Sequence, residues 1–156
     1  GAGATDRASS RAQGRTSVDF NNPANETGTI DTLQIWLVGA GNDTGVKMGF
    51  FYLVSGTTYH CRTGYTLGAI AAGSLITVSG LSLAVTSADW IGAYSDSKSI
   101  EKDSTGGLGA RIYTGESCDT NDEVAFPSTD AESIMSLYGS GATAGVGFVP
   151  RIMGVI

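Results

Sequence analysis

Between Thr29 and Val54 the chain alternates apolar and other residues with a period of two, twice, around a glycine-rich break. Leu33, Ile35 and Leu37 fall on one side of an extended chain, with Gln34, Trp36 and Val38 on the other. After the break, Val46, Met48, Phe50, Tyr52 and Val54 alternate with Lys47, Gly49, Phe51 and Leu53. Successive side chains of a strand point to opposite faces, so each run supplies one strongly apolar face and a second, partly covered one. The break, Gly39 to Gly45, holds three glycines with Asn42 and Asp43, residue types that tolerate the positive φ of a chain reversal. The two runs read as a long antiparallel pair at the centre of an all-β domain.

The rest of the chain has the same grain. Thr16 to Phe20 reads as a short strand with Val18 and Phe20 inward, ended by Asn21, Asn22 and Pro23. Further strands are expected at Thr57–Arg62, Ser74–Ser79, Leu81–Val85, Trp90–Tyr94, Leu108–Thr114, Val124–Phe126 and Ile134–Tyr138. Short strands at roughly 8–12-residue intervals, with Gly and Ser between them, describe a two-sheet antiparallel β-sandwich or a barrel. No sustained apolar period of 3.6 and no internal repeat is visible.

Composition narrows the function classes. A chain of 156 residues is one domain, large enough to bury a core. Charged residues make up 15 %, against ~25 % in ordinary soluble domains, and Gly, Ser and Thr take up the difference. Hydroxyl-rich, charge-poor surfaces point to an extracellular or surface-exposed β-protein. The net charge of −6 argues against nucleic acid as partner. No run of ~18 apolar residues exists to span a membrane. The chain opens at Gly1 without an apolar signal segment, as after removal of a leader or trimming.

Residues 1–15 contain no large apolar side chain, and Arg7, Arg11 and Arg15 recur every four positions. Without an apolar face to hold a helix down, an extended N-terminal arm is expected, leaving 16–156 as the sandwich domain. Acids concentrate elsewhere: nine of the fifteen lie between Asp96 and Glu132, against three bases, a local net of −6. Within that region Asp119, Asn121, Asp122 and Glu123 offer hard oxygen ligands suited to calcium, though without the spacing of a specific calcium loop. Otherwise no cofactor is expected. At the other end, residues 145–156 read GVGFVPRIMGVI, with Val146, Phe148, Val149, Ile152, Met153, Val155 and Ile156 apolar. Pro150 removes a backbone donor, so an edge strand is expected there, one that its own sandwich or another copy must cover.

Two cysteines, Cys61 and Cys118, stand 57 positions apart with no metal-ligand spacing. A bridge closing such a loop contributes about 4 kcal/mol by chain-entropy arithmetic, and an extracellular setting favours it. Asn25-Glu26-Thr27 and Asn42-Asp43-Thr44 match the N-glycosylation acceptor, each in an expected loop. Tyr59, Tyr65 and Tyr113 are the tyrosines expected to be exposed and able to stack on sugars. Catalysis is not expected. His60, the single histidine, lies in a strand, and no Gly-x-Ser-x-Gly nucleophile turn, phosphate loop or dinucleotide fingerprint is present.

The segments ATDRAS, NPANETGTIDTLQIW, SGTTYHCRTGYTLGAIAAGS, GLSLAVTSADWIGAY and ESIMSLYGSG resemble a β-sandwich module of environmental, surface-exposed and phage-associated proteins. The resemblance covers residues 3–141 and implies a jelly-roll-like fold and an extracellular setting, with no catalytic motif to carry over. The apolar segment after Gly141 departs from that module and suggests the repeating subunit of an extracellular fibril. The expected function is therefore a structural subunit that self-assembles head-to-tail into a filament or surface coat. Its contacts would be strand addition by 145–156 and pairing of the arginine arm with the acidic region of the next copy. A carbohydrate-binding module or adhesin, and a viral capsid, decoration or tail protein, are the alternatives.

Overall fold

The computed structural model describes residues 1–144; the edge strand expected over 145–156 lies outside the described residues. In chain order the strands are β1 (Ser9–Arg11), β2 (Arg15–Asp19), β3 (Gly28–Trp36), β4 (Asn42–Ser55), β5 (Thr58–Ala71) and β6 (Leu75–Val85). They continue with β7 (Trp90–Ser95), β8 (Ile100–Asp103), β9 (Ala110–Thr114), β10 (Glu123–Ala125), β11 (Ser128–Asp130), β12 (Ile134–Met135) and β13 (Leu137–Thr143). Every named pairing is antiparallel. The fold is an all-β sandwich, and among the described residues no helix is long and apolar enough to cross a membrane.

One layer is a seven-stranded sheet in the order β10-β5-β4-β7-β2-β9-β11. Its two outermost strands, β10 and β11, are separated in sequence only by Phe126 and Pro127. Three residue steps of extended chain reach about 10 Å, so the opposite edges are drawn together and the sheet curls on itself. Inside the curl lies a compact core of Val18, Phe51, Tyr59, Cys61, Cys118 and Phe126. A row of glycines makes the curl possible: Gly64 stands opposite Gly49, and Gly49 opposite Gly92. A Cβ on Gly92 would come within 2.7 Å of the Phe51 ring, and one on Gly49 within 2.8 Å of Cys61 Sγ. Absence of side chains along this row leaves the space that Phe51 fills and relieves crowding on the concave face.

The other layer consists of two three-stranded sheets, β13-β3-β6 and β1-β8-β12. They share the run Ile134–Thr143, which pairs first with β8 and then with β3. Between the layers sits the main core, in which Leu33, Ile35 and Leu37 meet Val46, Met48 and Phe50.

That core overturns the expected pairing of the two runs between Thr29 and Val54. β3 bonds to β6 and β13, and β4 to β5 and β7, so the two strands face each other from different layers. Gly39 and Gly41 both take positive φ, but the chain they turn crosses from one layer to the other instead of closing a hairpin. The alternation identified the buried faces correctly; burial across a core and pairing within a sheet produce the same pattern.

The N-terminal residues do not stand free either. Residues 9–11 form β1 on the edge of β8, and the Arg7 and Arg11 side chains fold inward. The expected disulfide is also corrected: Cys61 and Cys118 share the curled core, but both are free thiols. Backbone hydrogen bonds hold their segments together, Cys61 N–H donating to Asp122 O and Asn121 N–H to Cys61 O, each at 2.8 Å. Burial pushes the Cys61 thiol up to about 12 and Cys118 well above its ordinary value, so both behave as small apolar groups.

Candidate functional site

The arginine arm and the acidic region do meet, within a single chain. Arg7 pairs with Asp103 at 2.5 Å, its Nε donates to Ser136 Oγ at 2.9 Å, and its backbone N–H donates to Glu101 Oε2 at 2.7 Å. Arg11 pairs with Asp130, which also accepts from Lys102 Nζ at 2.8 Å. Burial pushes the Asp130 carboxyl up, but bonds and charges from Lys102 and Arg11 outweigh it and hold it below its ordinary value. Arg11, Glu101 and Lys102 are all buried, so these groups tie the N-terminal residues to β8 and offer no free surface to a second copy. Arg15, at the start of β2, is exposed.

Of the expected calcium ligands, Asp119 and Asp122 come together, joined by Glu116 in place of Glu123. Glu123 turns away to pair with His60 Nδ1 at 3.0 Å, and Asn121 takes a positive φ within the turn. The carboxylates of Glu116, Asp119 and Asp122 do approach one another within 4.8 Å. Lys47 from β4 supplies their cation, its Nζ donating to Glu116 at 2.9 Å and to Asp119 at 2.7 Å. Burial lowers the Lys47 pKa, but bonds to Asp119 and Glu116 outweigh it and raise the group above its ordinary value. An ammonium in that position answers the negative charge internally. The sequence pointed to the acids but not to Lys47, which lies 69 residues before Glu116.

Neither do the expected tyrosines form a sugar-stacking surface. Tyr59 is buried in the curled core, Tyr113 packs on that core, and Tyr65 packs on the main one. His60 lies in a surface row across three strands, with Glu123 on one side and the Tyr52 ring 5.0 Å away on the other. Arg62 covers Tyr52 at 4.5 Å and pairs with Asp89 at 2.6 Å. Asn25 and Asn42 are both exposed.

Two features with no sequence motif stand out on the sheet β13-β3-β6. The first is its pair of outer strands. Among the described residues, neither β6 nor β13 has a partner on its outer side. Neither LITVSGLSLAV nor LYGSGAT contains a charged residue or a proline. The second is a groove of about 680 Å³ between β13 and the loops around Asn25 and Ser87. Ile30, Phe50, Val85 and Ile91 line it, with Glu26 and Asp89 among its polar groups. All residues from Tyr138 to Thr143 border it, including both faces of β13, so the free edge of the strand runs along the groove.

Compared with family models, curated protein sequences and solved structures, the chain matches none of them. Fold and surface together define a β-sandwich in which, among the described residues, the sheet β13-β3-β6 ends in two uncharged, open edges.

Proposed function

We propose that the chain is the structural subunit of an extracellular homopolymer, a filament or surface coat built by extending the sheet β13-β3-β6 from copy to copy. The observation that carries this reading is the pair of bare edges. Unpaired backbone groups along a strand are a template for another strand, and natural proteins block such edges with lysine, proline or bulges. β6 runs for 11 residues with no charge at all; each strand has one irregularity against β3, near Gly80 on β6 and at Ser140/Gly141 on β13, and the backbone on either side is left open. β6 and β13 are opposite edges of one sheet, so joining one copy to the next through them is a head-to-tail contact, which propagates unless a ring closes. The low charge content and the hydroxyl-rich surface support an extracellular setting.

Lysine introduced at Ser79 on β6 or at Ser140 on β13 tests this reading. Each variant should remain folded by circular dichroism and lose polymer by sedimentation and negative-stain microscopy. Undiminished polymer from both variants would contradict assembly through these edges.

A second reading, carbohydrate binding, draws on the outer face of the same sheet. Gln34 Nε2 donates to Thr77 Oγ1 at 3.2 Å beside Tyr138, and Thr32 Oγ1 donates to Ser79 Oγ at 3.4 Å in the neighbouring row. Tyr138 is 37 % exposed and can stack on a sugar while the amide and hydroxyls bond to it. A glycan array should then show binding that Tyr138→Ala abolishes; a blank array would exclude it.

A further inference from the structure

We infer that the groove bordering β13 is the receptor for residues 145–156 of a neighbouring copy. This inference rests on the assembly reading above and makes residues 145–156 the added strand through which the β13 edge is joined to the neighbouring copy's sheet. Four observations lead to it. The groove floor is apolar, formed by Ile30, Phe50, Val85 and Ile91, while its wall is the edge of β13, unpaired among the described residues. An extended segment lying there would bond to the β13 backbone and turn alternate side chains onto the floor, the arrangement of strand addition. The sequence from Gly145 to Ile156 is suited to that role, with Val146, Phe148, Val149, Ile152, Met153, Val155 and Ile156 apolar and a single charge, Arg151. That positive charge matches Glu26, the exposed acid of the groove lining. Finally, the described residues end at the groove itself: Thr143 lines it, and the Ala144 N–H donates to Thr27 O at 2.9 Å.

The two halves of this contact, groove and segment, are different residues of one copy. A segment passed to the next copy leaves its own groove to be filled by the previous one. The contact is therefore heterologous and repeats along a chain of copies.

The test uses two full-length variants, each with one half blocked. Gly139→Leu fills the groove: a Cβ there would point between Phe50 at 3.2 Å and Ile30 at 3.5 Å, and the backbone φ is not in the left-handed region. Should that variant fail to fold, Ala142→Trp obstructs the mouth from an exposed position. The second variant, Phe148→Asp with Ile152→Asp, spoils the segment. Each variant alone should sediment as monomer, and an equimolar mixture should give a heterodimer that grows no further, because only one productive contact remains. Fibres from the groove-filled variant would overturn the groove assignment while leaving the assembly reading intact. A mixture that stays monomeric, although wild type polymerises, would overturn delivery by a neighbour and indicate that each copy fills its own groove. Wild type that is monomeric throughout would instead remove the assembly reading on which the inference rests.

Discussion

Truncating Phe126 to alanine tests the account of the curled sheet. Its side chain is fully buried between the two edges that Phe126 and Pro127 connect, and its ring meets Phe51 edge-on at 6.0 Å, Tyr59 at 5.4 Å and Tyr113 at 5.8 Å. Phe→Ala at a packed site costs about 3–5 kcal/mol, and edge-to-face pairing adds about 0.5–1.5 kcal/mol per pair beyond area burial. Collapse of the curl onto the space would recover part of this, so about 4 kcal/mol is expected. For a urea slope of about 2 kcal/mol/M, the midpoint should fall by about 2 M. Val124→Ala, on the edge strand β10 and only partly buried, should cost under about 1.5 kcal/mol in the same assay. Urea unfolding followed by tryptophan fluorescence reads both. If Phe126→Ala shifted the midpoint no more than Val124→Ala, the interior of the curl would not be a packed core, and the reasoning from the two-residue connection would fail.

Three further perturbations follow from the charged groups. Asp19 is fully buried, its Oδ2 has no partner among the described residues, and burial raises its carboxyl to about 6 despite the bond from Asn21. A raised folded pKa favours folding below the unfolded value of about 4 and loses that contribution as pH rises through 6. Stability should therefore fall between pH 4 and pH 7 by on the order of 2–3 kcal/mol from this group. Asp19→Asn should flatten that slope and raise the pH 8 melting temperature; an unchanged profile would refute the assignment. Arg11→Ala leaves the half-buried Asp130 with Lys102 alone and should cost about 2–4 kcal/mol of folding stability. A variant that loses assembly while keeping its denaturation midpoint would show that the arginine serves a neighbour instead. Lys47→Met removes the cation from between Glu116 and Asp119, and millimolar calcium should then raise the variant's melting temperature while leaving wild type unchanged. Equal calcium response in the two proteins would count against the ammonium as occupant.

The sequence made faces legible and partners illegible. Leu33, Ile35, Val46, Met48 and Phe50 were readable as buried because alternation reports which side of a strand meets the core. Whether β3 and β4 share a sheet depends on where Gly39 and Gly41 send the chain, and a positive φ suits a hairpin and an interlayer crossing equally. The charges followed the same rule. Arg7 and Arg11 were visible as a basic cluster and Asp103 and Asp130 as part of an acidic one, but their union inside one chain depends on β1 docking against β8. Lys47 could not be associated with Glu116 before β4 was placed beside that loop. The groove left no trace in sequence, since its walls are an edge strand and two loops whose residues carry no motif.

Sedimentation velocity of the full-length wild-type chain across a wide concentration range, with negative-stain images of the same samples, bears most directly on the central claim. The account predicts polymers of uniform width whose average length grows with concentration, dispersed by the lysine variants at the β6 and β13 edges. A single monodisperse monomer at every concentration would contradict it.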